Sequence, residues 1–268
     1  MTRRSEALRT ARPRLRPEDN RGVTLIVFSR EPRAGYCKTR LIPRLGAEGA
    51  AELGRAFLVD AISKCRALNP ARLIIAAQAQ DGVANSRGLR LIARRFGADL
   101  IDQGEGTLGE RMARAINPYR QEGAVLIGTD IPSLPLRLLA QSVAMLRRAP
   151  VVIAPSLDGG YYLLGAKGKL PDIFNDIEWG RAYVFRQTLE RLHRAGARYA
   201  LGPAWYDVDR FSDVLLLTAH LMQIKMHRNL SNHRNGSADA PADPAMTGPA
   251  CPATARALAR LGLLHAGR

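Results

Sequence analysis

Residues 23–40 read VTLIVFSREPRAGYCKTR, and this stretch decides the fold. Its first six residues form a continuous apolar run rich in β-branched side chains, which is typical of a fully buried strand. The remainder combines Gly35 with clustered cations. In an open α/β sheet, ligands bind beyond the carboxyl ends of the strands. The loop after this strand is therefore a natural phosphate cradle, in which Lys38 and Arg40 would meet the phosphates. An exposed basic loop is the alternative.

Runs of strand length alternate with helical patterns along most of the chain. Short apolar runs predict strands at 73–77, 99–101, 124–127 and 151–154, and helical spacing predicts helices at 43–65, 83–95, 108–116, 136–147 and 182–195. This alternation is typical of βαβ units, so we expect an α/β fold of three layers, α/β/α, with a mostly parallel sheet. We expect an antiparallel strand at 161–164 after a Gly-Gly turn, a last strand at 205–208 and a closing helix at 211–226.

The composition predicts one soluble, cytoplasmic domain. With 268 residues, 46% of them hydrophobic, the chain can bury one core of ordinary size. The three cysteines, Cys37, Cys65 and Cys251, are an odd number with wide spacing. They fit neither a disulfide framework nor a C-x-x-C metal site, which favours a reducing compartment. No apolar run approaches the ~20 residues that a membrane helix needs.

Much of the net charge of +16 lies at the two ends of the chain. Residues 1–22 carry seven arginines and three acidic residues, and residues 226–268 carry five arginines and two aspartates. Because neither end has a clear apolar periodicity, we expect a disordered basic tail at 1–22, a globular domain at 23–226, and a linker with a short C-terminal helix at 227–268. Such tails could bind nucleic acid or anionic lipid. The tails lack interleaved aromatic residues, which argues against nucleic acid.

The segment Gly104-Glu105-Gly106-Thr107-Leu108-Gly109 matches the G-x-G-x-x-G pattern of dinucleotide-binding loops. Such a loop usually follows a strong first strand, whereas only a short apolar run precedes this one. The alternative is a capping box, in which Thr107 caps a helix and Glu110 returns a hydrogen bond, and this needs no ligand. The sequence leaves both interpretations open.

Carboxylates follow several of the predicted strands. Asp130 lies directly beyond the strand at 124–127, and carboxylate oxygens there suit Mg²⁺ or Mn²⁺. Asp207 and Asp209 flank Val208 at strand spacing, so both carboxylates point to one face and could hold one cation. Asp158 lies beside two glycines, which permit close approach of the backbone to a ligand. The structural alternatives are a turn or cap for Asp130, a hairpin turn for Asp158 and a helix cap for Asp209.

Together these segments resemble a bacterial family known as DUF2064, placed among glycosyltransferases of the GT-A superfamily. The resemblance covers residues 23 to about 217. It is carried by Val27-Phe28-Ser29-Arg30-Glu31-Pro32, Gly35, Lys38-Thr39-Arg40-Leu41, Leu108-Gly109-Glu110-Arg111-Met112, Gly128-Thr129-Asp130-Ile131-Pro132, Asp158-Gly159-Gly160-Tyr161-Tyr162 and Trp179-Gly180. Two motifs depart from the family pattern: Thr129 replaces serine, and Asp209-Arg210-Phe211-Ser212-Asp213 replaces Asp-Thr-Pro-Glu-Asp.

The resemblance implies a GT-A-like catalytic domain that uses a nucleoside-diphosphate sugar donor and an unknown acceptor. It implies Mg²⁺ or Mn²⁺ on Asp130 and Asp209, and we expect Asp158 or Glu178 to orient or deprotonate the acceptor. The expected nucleotide-binding residues are Ser29, Arg30, Gly35, Lys38, Arg40, Gly109, Glu110 and Arg111. Nucleotidyl transfer with release of pyrophosphate, as in related sugar-1-phosphate and molybdenum-cofactor nucleotidyltransferases, is the first alternative. A basic binding protein without catalysis is the second.

Overall fold

The computed structural model describes residues 22–234 and 251–264. Within these ranges the strands are β1 Thr24–Arg30, β2 Arg72–Gln78, β3 Asp99–Asp102, β4 Ala124–Gly128, β5 Val151–Pro155, β6 Tyr161–Ala166 and β7 Tyr199–Leu201. The α-helices are α1 Ile42–Ala67, α2 Arg87–Phe96, α3 Leu108–Ile116, α4 Leu136–Ala144, α5 Val184–Arg194, α6 Phe211–Arg234 and α7 Pro252–Arg260. Of the expected tail at 1–22, residues 1–21 lie outside the described residues, as do 235–250 and 265–268 of the expected C-terminal region.

The strands form one sheet in the order β3-β2-β1-β4-β6-β5-β7. β1 pairs in parallel with β2 and β4, as do β2 with β3 and β5 with β7. β6 runs antiparallel to β4 and β5, because the glycine-containing turn after β5 returns the chain at once. The carboxyl ends of β1 to β5 therefore share one side of the sheet, which we call the carboxyl edge. The predicted α/β class with a mostly parallel sheet is confirmed.

Alternate residues of β1 face two different helical layers. Leu25 and Val27 pack in one core cluster with residues of α1, α2 and α4. Ile26 packs in a second cluster with residues of α3 and α5 on the other face. Because successive side chains of a strand point to opposite faces, an uninterrupted apolar run requires helices on both faces. This is the three-layer α/β/α arrangement that the sequence predicts.

Helices α6 and α7 form a smaller core against α1. Leu217 of α6 and Leu258 of α7 are fully buried in this cluster. The buried carboxylate of Asp60 in α1 accepts hydrogen bonds from the backbone N–H groups of Ala253 (3.0 Å) and Thr254 (2.7 Å) at the start of α7. An anion at this position accepts hydrogen bonds from the free N–H groups of the first turn and interacts favourably with the positive end of the helix dipole. α7 is therefore part of the folded body, although the composition of this end indicates a tail.

The expected last strand at 205–208 is wrong. The strand at this end of the sheet is β7, Tyr199–Leu201, which pairs with β5. Trp205 makes a single bridge to Ser156, and the N–H of Val208 donates to the carbonyl of Asp130 at 2.8 Å. The segment bonds to the last residue of β5 through the N–H of Trp205, which donates to the carbonyl of Pro155, and otherwise to the loops beyond β5 and β4. Its alternation of apolar and acidic residues buries Val208 and presents the flanking carboxylates at the carboxyl edge.

The cysteines are structural in character. Cys37, Cys65 and Cys251 are buried and unpaired. Burial raises the pKa of the Cys65 and Cys251 thiols to about 12, which keeps them protonated and unreactive. Among the described residues, no helix is both long and apolar enough to cross a membrane.

Candidate functional site

The loop between β1 and α1 is held in one shape by its backbone. Gly35 has a φ of 77°, and Lys38 has a φ of 48°, in the left-handed region that few side chains adopt. The N–H of Cys37 donates to the carbonyl of Arg33 at 3.2 Å. A Cβ on Gly54 of α1 would lie 3.0 Å from the sulfur of Cys37, so this glycine lets the loop pack closely on α1. The side chain of Lys38 is buried in this arrangement, with 8% of it exposed.

The ammonium group of Lys38 lies between two carboxylates. Its Nζ is 2.8 Å from Oδ1 of Asp130 and 2.9 Å from Oδ1 of Asp209, and it donates to the carbonyl of Val208 at 2.6 Å. Burial favours the neutral amine, but the charges of Asp130 and Asp209 outweigh it and raise the pKa of Lys38 above its usual range. The sequence predicts a metal on these carboxylates and phosphates at Lys38. The direct ion pairs are an additional finding.

Asp209 carries more of the pairing than Asp130. Its second oxygen, Oδ2, is 3.2 Å from the guanidinium of Arg40. Burial favours the protonated acid, yet Lys38 and Arg40 together lower the pKa of Asp209 below its usual range. Asp209 is therefore ionised at neutral pH and is available as an oxygen ligand.

A first cavity of about 560 Å³ opens beside this ion cluster at the carboxyl edge. Its size is in the range of small-molecule sites. The loop after β1, the end of β4 and the first turns of α3 all contribute to its wall. Of the predicted nucleotide-binding residues, the structure brings together here Ser29, Arg30, Lys38, Arg40 and Arg111. Asp130 and Asp209 also line this cavity.

Two glutamines of the first cavity, Gln78 and Gln103, were missed by the sequence reasoning. The buried Nε2 of Gln103 donates to the carbonyls of Ser29 (2.8 Å) and Ala76 (2.9 Å), and so ties the ends of β1 and β2 together. The Oε1 atoms of both glutamines accept hydrogen bonds from Arg111 at 3.0 Å. A polar residue at or just beyond the end of an apolar strand is the signal that could have found them.

Two guanidinium groups of the first cavity make it attractive to an anion. Burial and the charge of Arg30 lower the pKa of Arg111. The Nε of Arg111 is buried without a hydrogen-bond partner among the described residues. Arg30 itself lies over the ring of Tyr36, 5.4 Å from its centroid. An anion near both groups would relieve their repulsion and can accept charge-assisted hydrogen bonds, which suits a phosphate.

A second cavity of about 680 Å³ adjoins the first. Four aromatic residues contribute to its wall: Tyr161, Tyr162, Trp179 and Tyr206. The residues that line both cavities are Arg40, Leu108, Gly128, Asp130 and Asp209. The two cavities therefore meet at the carboxylate pair, and a group bound there is reachable from both sides.

The second cavity carries three further carboxylates, from Asp158, Asp207 and Asp213. Asp158 lies in the turn between β5 and β6, where its Oδ1 accepts hydrogen bonds from the N–H of Gly160 (2.9 Å) and from the hydroxyl of Ser156. Burial and the negative charge of Asp158 raise the pKa of Asp207 to about 6. Asp207 and Asp209 share one face, as their spacing predicts, but only the folded chain brings Asp158 near Asp207.

Glu178, the second predicted acceptor-binding residue, lies outside both cavities. Its side chain is exposed. Its backbone N–H donates to Oε1 of Gln187 at 2.9 Å, and the Nε2 of Gln187 donates to its carboxylate at 2.8 Å. The neighbouring residues Trp179 and Gly180 do line the second cavity. The motif thus contributes to the site through its neighbours, and a role of Glu178 in catalysis stays a prediction.

The glycine-rich segment before α3 forms the capping box and not a dinucleotide loop. The hydroxyl of Thr107 accepts from the N–H of Glu110, and the carboxylate of Glu110 accepts from the N–H of Thr107. The loop follows β3 at the edge of the sheet, whereas a Rossmann loop follows the first strand. A Cβ on Gly109 would lie 2.7 Å from Trp179, so this glycine serves close packing. Gly35, Gly109 and Glu110, three of the predicted nucleotide-binding residues, line neither of the two cavities.

The carboxylates of Asp130 and Asp209 have the chemistry of a site for one divalent cation. Both Oδ1 atoms lie within 3 Å of the same point, the Nζ of Lys38. Within the described part of the chain, no group of three or more His, Cys, Asp or Glu residues is arranged to hold a metal ion. Mg²⁺ is commonly bound by one or two carboxylates together with substrate phosphates and water. This pair therefore fits a cation that completes its shell with a diphosphate.

Comparison with known proteins relates this site to a family. Residues 61–181 match the family model of DUF2064, described as an uncharacterized protein conserved in bacteria. A crystal structure from Desulfovibrio desulfuricans G20, provisionally named a nucleotide-diphospho-sugar transferase, is 31% identical to the chain. It superposes with a TM-score of 0.65 and covers 74% of this chain and 87% of its own. No curated protein matches the chain significantly.

More remote structures match the chain at low similarity. A cytidylyltransferase from Leptospira borgpetersenii is 12% identical, with a TM-score of 0.49, and covers 82% of this chain and 100% of its own. A 4-diphosphocytidyl-2C-methyl-D-erythritol synthase from Anaerococcus prevotii is 10% identical, with a TM-score of 0.48, and covers 76% of this chain and 99% of its own. These two carry no functional argument. The family match and the 31% identity over most of both chains confirm the resemblance of the motifs: the chain belongs to the bacterial DUF2064 family.

Proposed function

We propose that the chain transfers a glycosyl group from a nucleoside-diphosphate sugar to an acceptor, with the donor in the first cavity and the acceptor in the second. The observation that carries this proposal is the junction of the two cavities at Asp130 and Asp209, the two carboxylates that pair with Lys38. A donor whose diphosphate lies at this junction presents its sugar to the second cavity. The provisional name of the Desulfovibrio desulfuricans relative agrees with a donor of this class.

The cations of the first cavity supply the electrostatics of the reaction. As the bond between sugar and diphosphate breaks, negative charge grows on the departing diphosphate. Lys38 and Arg40 lie at the junction and would stabilise this charge, and Arg30 and Arg111 would bind the remainder of the phosphate group. Mg²⁺ or Mn²⁺, held by Asp130 and Asp209, would act as a Lewis acid on the same oxygens when bound.

The second cavity has the features of an acceptor site. Asp158 is the predicted acceptor-binding carboxylate that lines it, and the hydrogen bonds from Ser156 and Gly160 fix its orientation. A fixed carboxylate can orient an acceptor hydroxyl and accept its proton as the new bond forms. The aromatic walls suit an acceptor with apolar faces.

Nucleotidyl transfer is the second candidate, and the guanidinium pair of Arg30 and Arg111 is the observation that favours it. Together with Lys38 and Arg40, these groups place four cations around the first cavity. A nucleoside triphosphate carries more negative charge than a diphosphate sugar and would use all four. The reaction would then release pyrophosphate and leave a nucleotide-linked product.

Mass spectrometry of the products separates the two candidates. The protein is incubated with a panel of nucleotide sugars and, separately, of nucleoside triphosphates, each with Mn²⁺. We expect release of a nucleoside diphosphate from one of the sugars; release of pyrophosphate from a triphosphate would contradict glycosyl transfer. Lys38→Met should abolish the reaction. The matched control Arg33→Met removes a cation of the same loop that pairs with Asp81 outside both cavities, and it should keep the activity.

A further inference from the structure

We propose that Lys38 closes the pair of carboxylates to a free divalent cation, and that a donor diphosphate opens it by drawing the ammonium away, so that metal and donor bind together. This inference rests on the proposed function, because it concerns the same donor and the same cation. Its physical content is a competition between one ammonium group and one metal ion for a single position.

The first step is that the two cations exclude each other. The Nζ of Lys38 contacts Asp130, Asp209 and the Val208 carbonyl at 2.8, 2.9 and 2.6 Å, which uses all three donors of an ammonium group. A cation bridging the same two Oδ1 atoms would lie about 2.0–2.6 Å from each. The Nζ of Lys38 already lies within 3 Å of both of these atoms, at a position that we call the gap. A divalent cation at or beside the gap would be repelled by the ammonium and would compete with it for the same two acceptors, so the metal holds both oxygens only after Lys38 has moved.

The second step is that Lys38 does not leave this position without a replacement anion. Its side chain is nearly buried and lies 5.2 Å from the ring centroid of Phe57, so it has little contact with water. Moving the ammonium away from Asp130 and Asp209 without compensation would leave charges unpaired at a buried place, which is costly. A diphosphate in the first cavity offers new acceptors for the ammonium, within reach of the same loop.

The third step is charge balance at the junction. The two carboxylates are matched by Lys38 and Arg40, so the cluster is neutral before any ligand binds. A divalent cation alone would make the cluster strongly positive, and a diphosphate alone would be repelled by the two carboxylates. The two ligands together restore the balance. By linkage, the factor by which a diphosphate raises metal affinity equals the factor by which the metal raises diphosphate affinity. We expect on the order of tenfold or more, within the usual range of such couplings.

The test measures binding of Mn²⁺ without any reaction. Free Mn²⁺ is quantified by electron paramagnetic resonance in titrations of the full-length protein, with and without UDP, GDP or CDP. In the absence of nucleotide, the wild-type protein should bind Mn²⁺ weakly. Lys38→Met, which keeps the length of the side chain and removes its charge, should bind Mn²⁺ about tenfold more tightly and should lose the coupling to nucleotide.

The matched control is Arg40→Met. This variant removes a cation that contacts Asp209 and not Asp130, and whose side chain is 62% exposed. Arg40 does not fill the gap between the Oδ1 atoms, so nucleotide-free Mn²⁺ affinity should change less than about threefold, as expected for an exposed ion pair. An equal gain in Arg40→Met and Lys38→Met would mean that general electrostatics, and not occupation of the gap, limits the metal, and would overturn the inference.

The remaining outcomes separate the inference from the proposed function. If wild-type protein binds Mn²⁺ without nucleotide as tightly as Lys38→Met, the inference is wrong, while nucleotide-sugar turnover can still support the proposed function. If neither protein binds Mn²⁺ with or without nucleotide, both the inference and the metal-dependent function are wrong. Should Lys38→Met fail to fold, the wild-type titrations decide alone: Mn²⁺ affinity that is the same with and without every nucleotide that binds would overturn the coupling.

Discussion

The carboxylate of Asp60 accepts a hydrogen bond from the N–H of Thr254 at 2.7 Å, joining α1 to α7 across 194 positions of the chain. Asp60→Ala should destabilise the fold by about 2–3 kcal/mol, because it leaves buried N–H groups of α7 without an acceptor and removes the carboxylate near the buried ammonium of Lys64. Urea denaturation followed by circular dichroism measures the change.

Glu52→Ala is the control for this interface. Glu52 also links α1 to α7, through an ion pair with Arg260, but the arginine side chain is largely exposed. Solvent-exposed pairs contribute about 0–1 kcal/mol, so this variant should be close to wild type. If the two variants lose the same free energy of unfolding, the hydrogen bonds of Asp60 to α7 contribute no more than an exposed ion pair, and the prediction is wrong.

Gly109→Ala tests whether the glycine of the Leu108-Gly109-Glu110-Arg111 motif serves packing or ligand binding. The added methyl group would lie 2.7 Å from Trp179, closer than real contacts allow, and 3.0 Å from Phe174, which is a tight contact. We expect a loss of about 1–3 kcal/mol from overpacking, measured by thermal or urea denaturation.

Gly88→Ala in α2 is the matched glycine variant, since nothing lies within 4 Å of its added methyl group. It should be neutral or should stabilise by up to about 1 kcal/mol, because alanine restricts the unfolded chain. If Gly109→Ala instead melts like wild type and loses nucleotide binding, the glycine contacts the ligand, as the family motif implies.

The continuous apolar run of β1 was sufficient to predict the layers, because a strand buried on both faces needs helices on both. The reversal at β6 was predictable for a local reason, the glycines after β5. The prediction of a strand at 205–208 was wrong, because alternation of apolar and acidic residues is typical of a strand and also of a loop that buries one residue. Nothing local distinguishes Val208 bonded to Asp130 from Val208 in a sheet.

Lys38 and Asp130 were predictable at the carboxyl edge, because they lie in the loops after β1 and β4. Asp209 was expected there at the end of a strand at 205–208, which the structure does not contain. The sequence could not predict that Lys38 and Asp209, 171 positions apart, form a direct ion pair. Nor could it identify Gln103, whose importance lies in a buried amide that joins two strand ends. Contacts of this kind depend on side-chain directions after packing, which residue spacing does not contain.

Asp207→Asn tests the raised pKa in the second cavity. A carboxyl group with a pKa of about 6 in the folded protein and 3.8 ordinarily favours folding when protonated, so its contribution is full below pH 3.8 and is lost as pH rises through 6. The shift corresponds to about 3 kcal/mol, which solvent screening of a half-exposed group reduces to about 1 kcal/mol. Asp207→Asn should therefore be about 1 kcal/mol more stable than wild type at pH 7.5, and this gain should shrink toward pH 4. Urea denaturation at both pH values measures it; a gain independent of pH would contradict the shift.

Asp130→Ala tests the candidate cation site most directly. The side chain of Asp130 is 43% exposed, and its backbone carbonyl, which accepts from Val208, is unaffected by the change. Folding should therefore survive, with a small change in melting temperature. Activity should fall on the order of a hundredfold or more, as for the removal of a main electrostatic stabiliser of a transition state.

Asp209→Ala should lose both activity and stability, because it leaves Lys38 and Arg40 without their shared carboxylate. The measurements are Mn²⁺-dependent nucleotide binding and thermal melting of each variant. Near-normal Mn²⁺-dependent binding by Asp130→Ala, combined with a much lower melting temperature, would make Asp130 a structural residue of the loop after β4 and would remove it from the metal site.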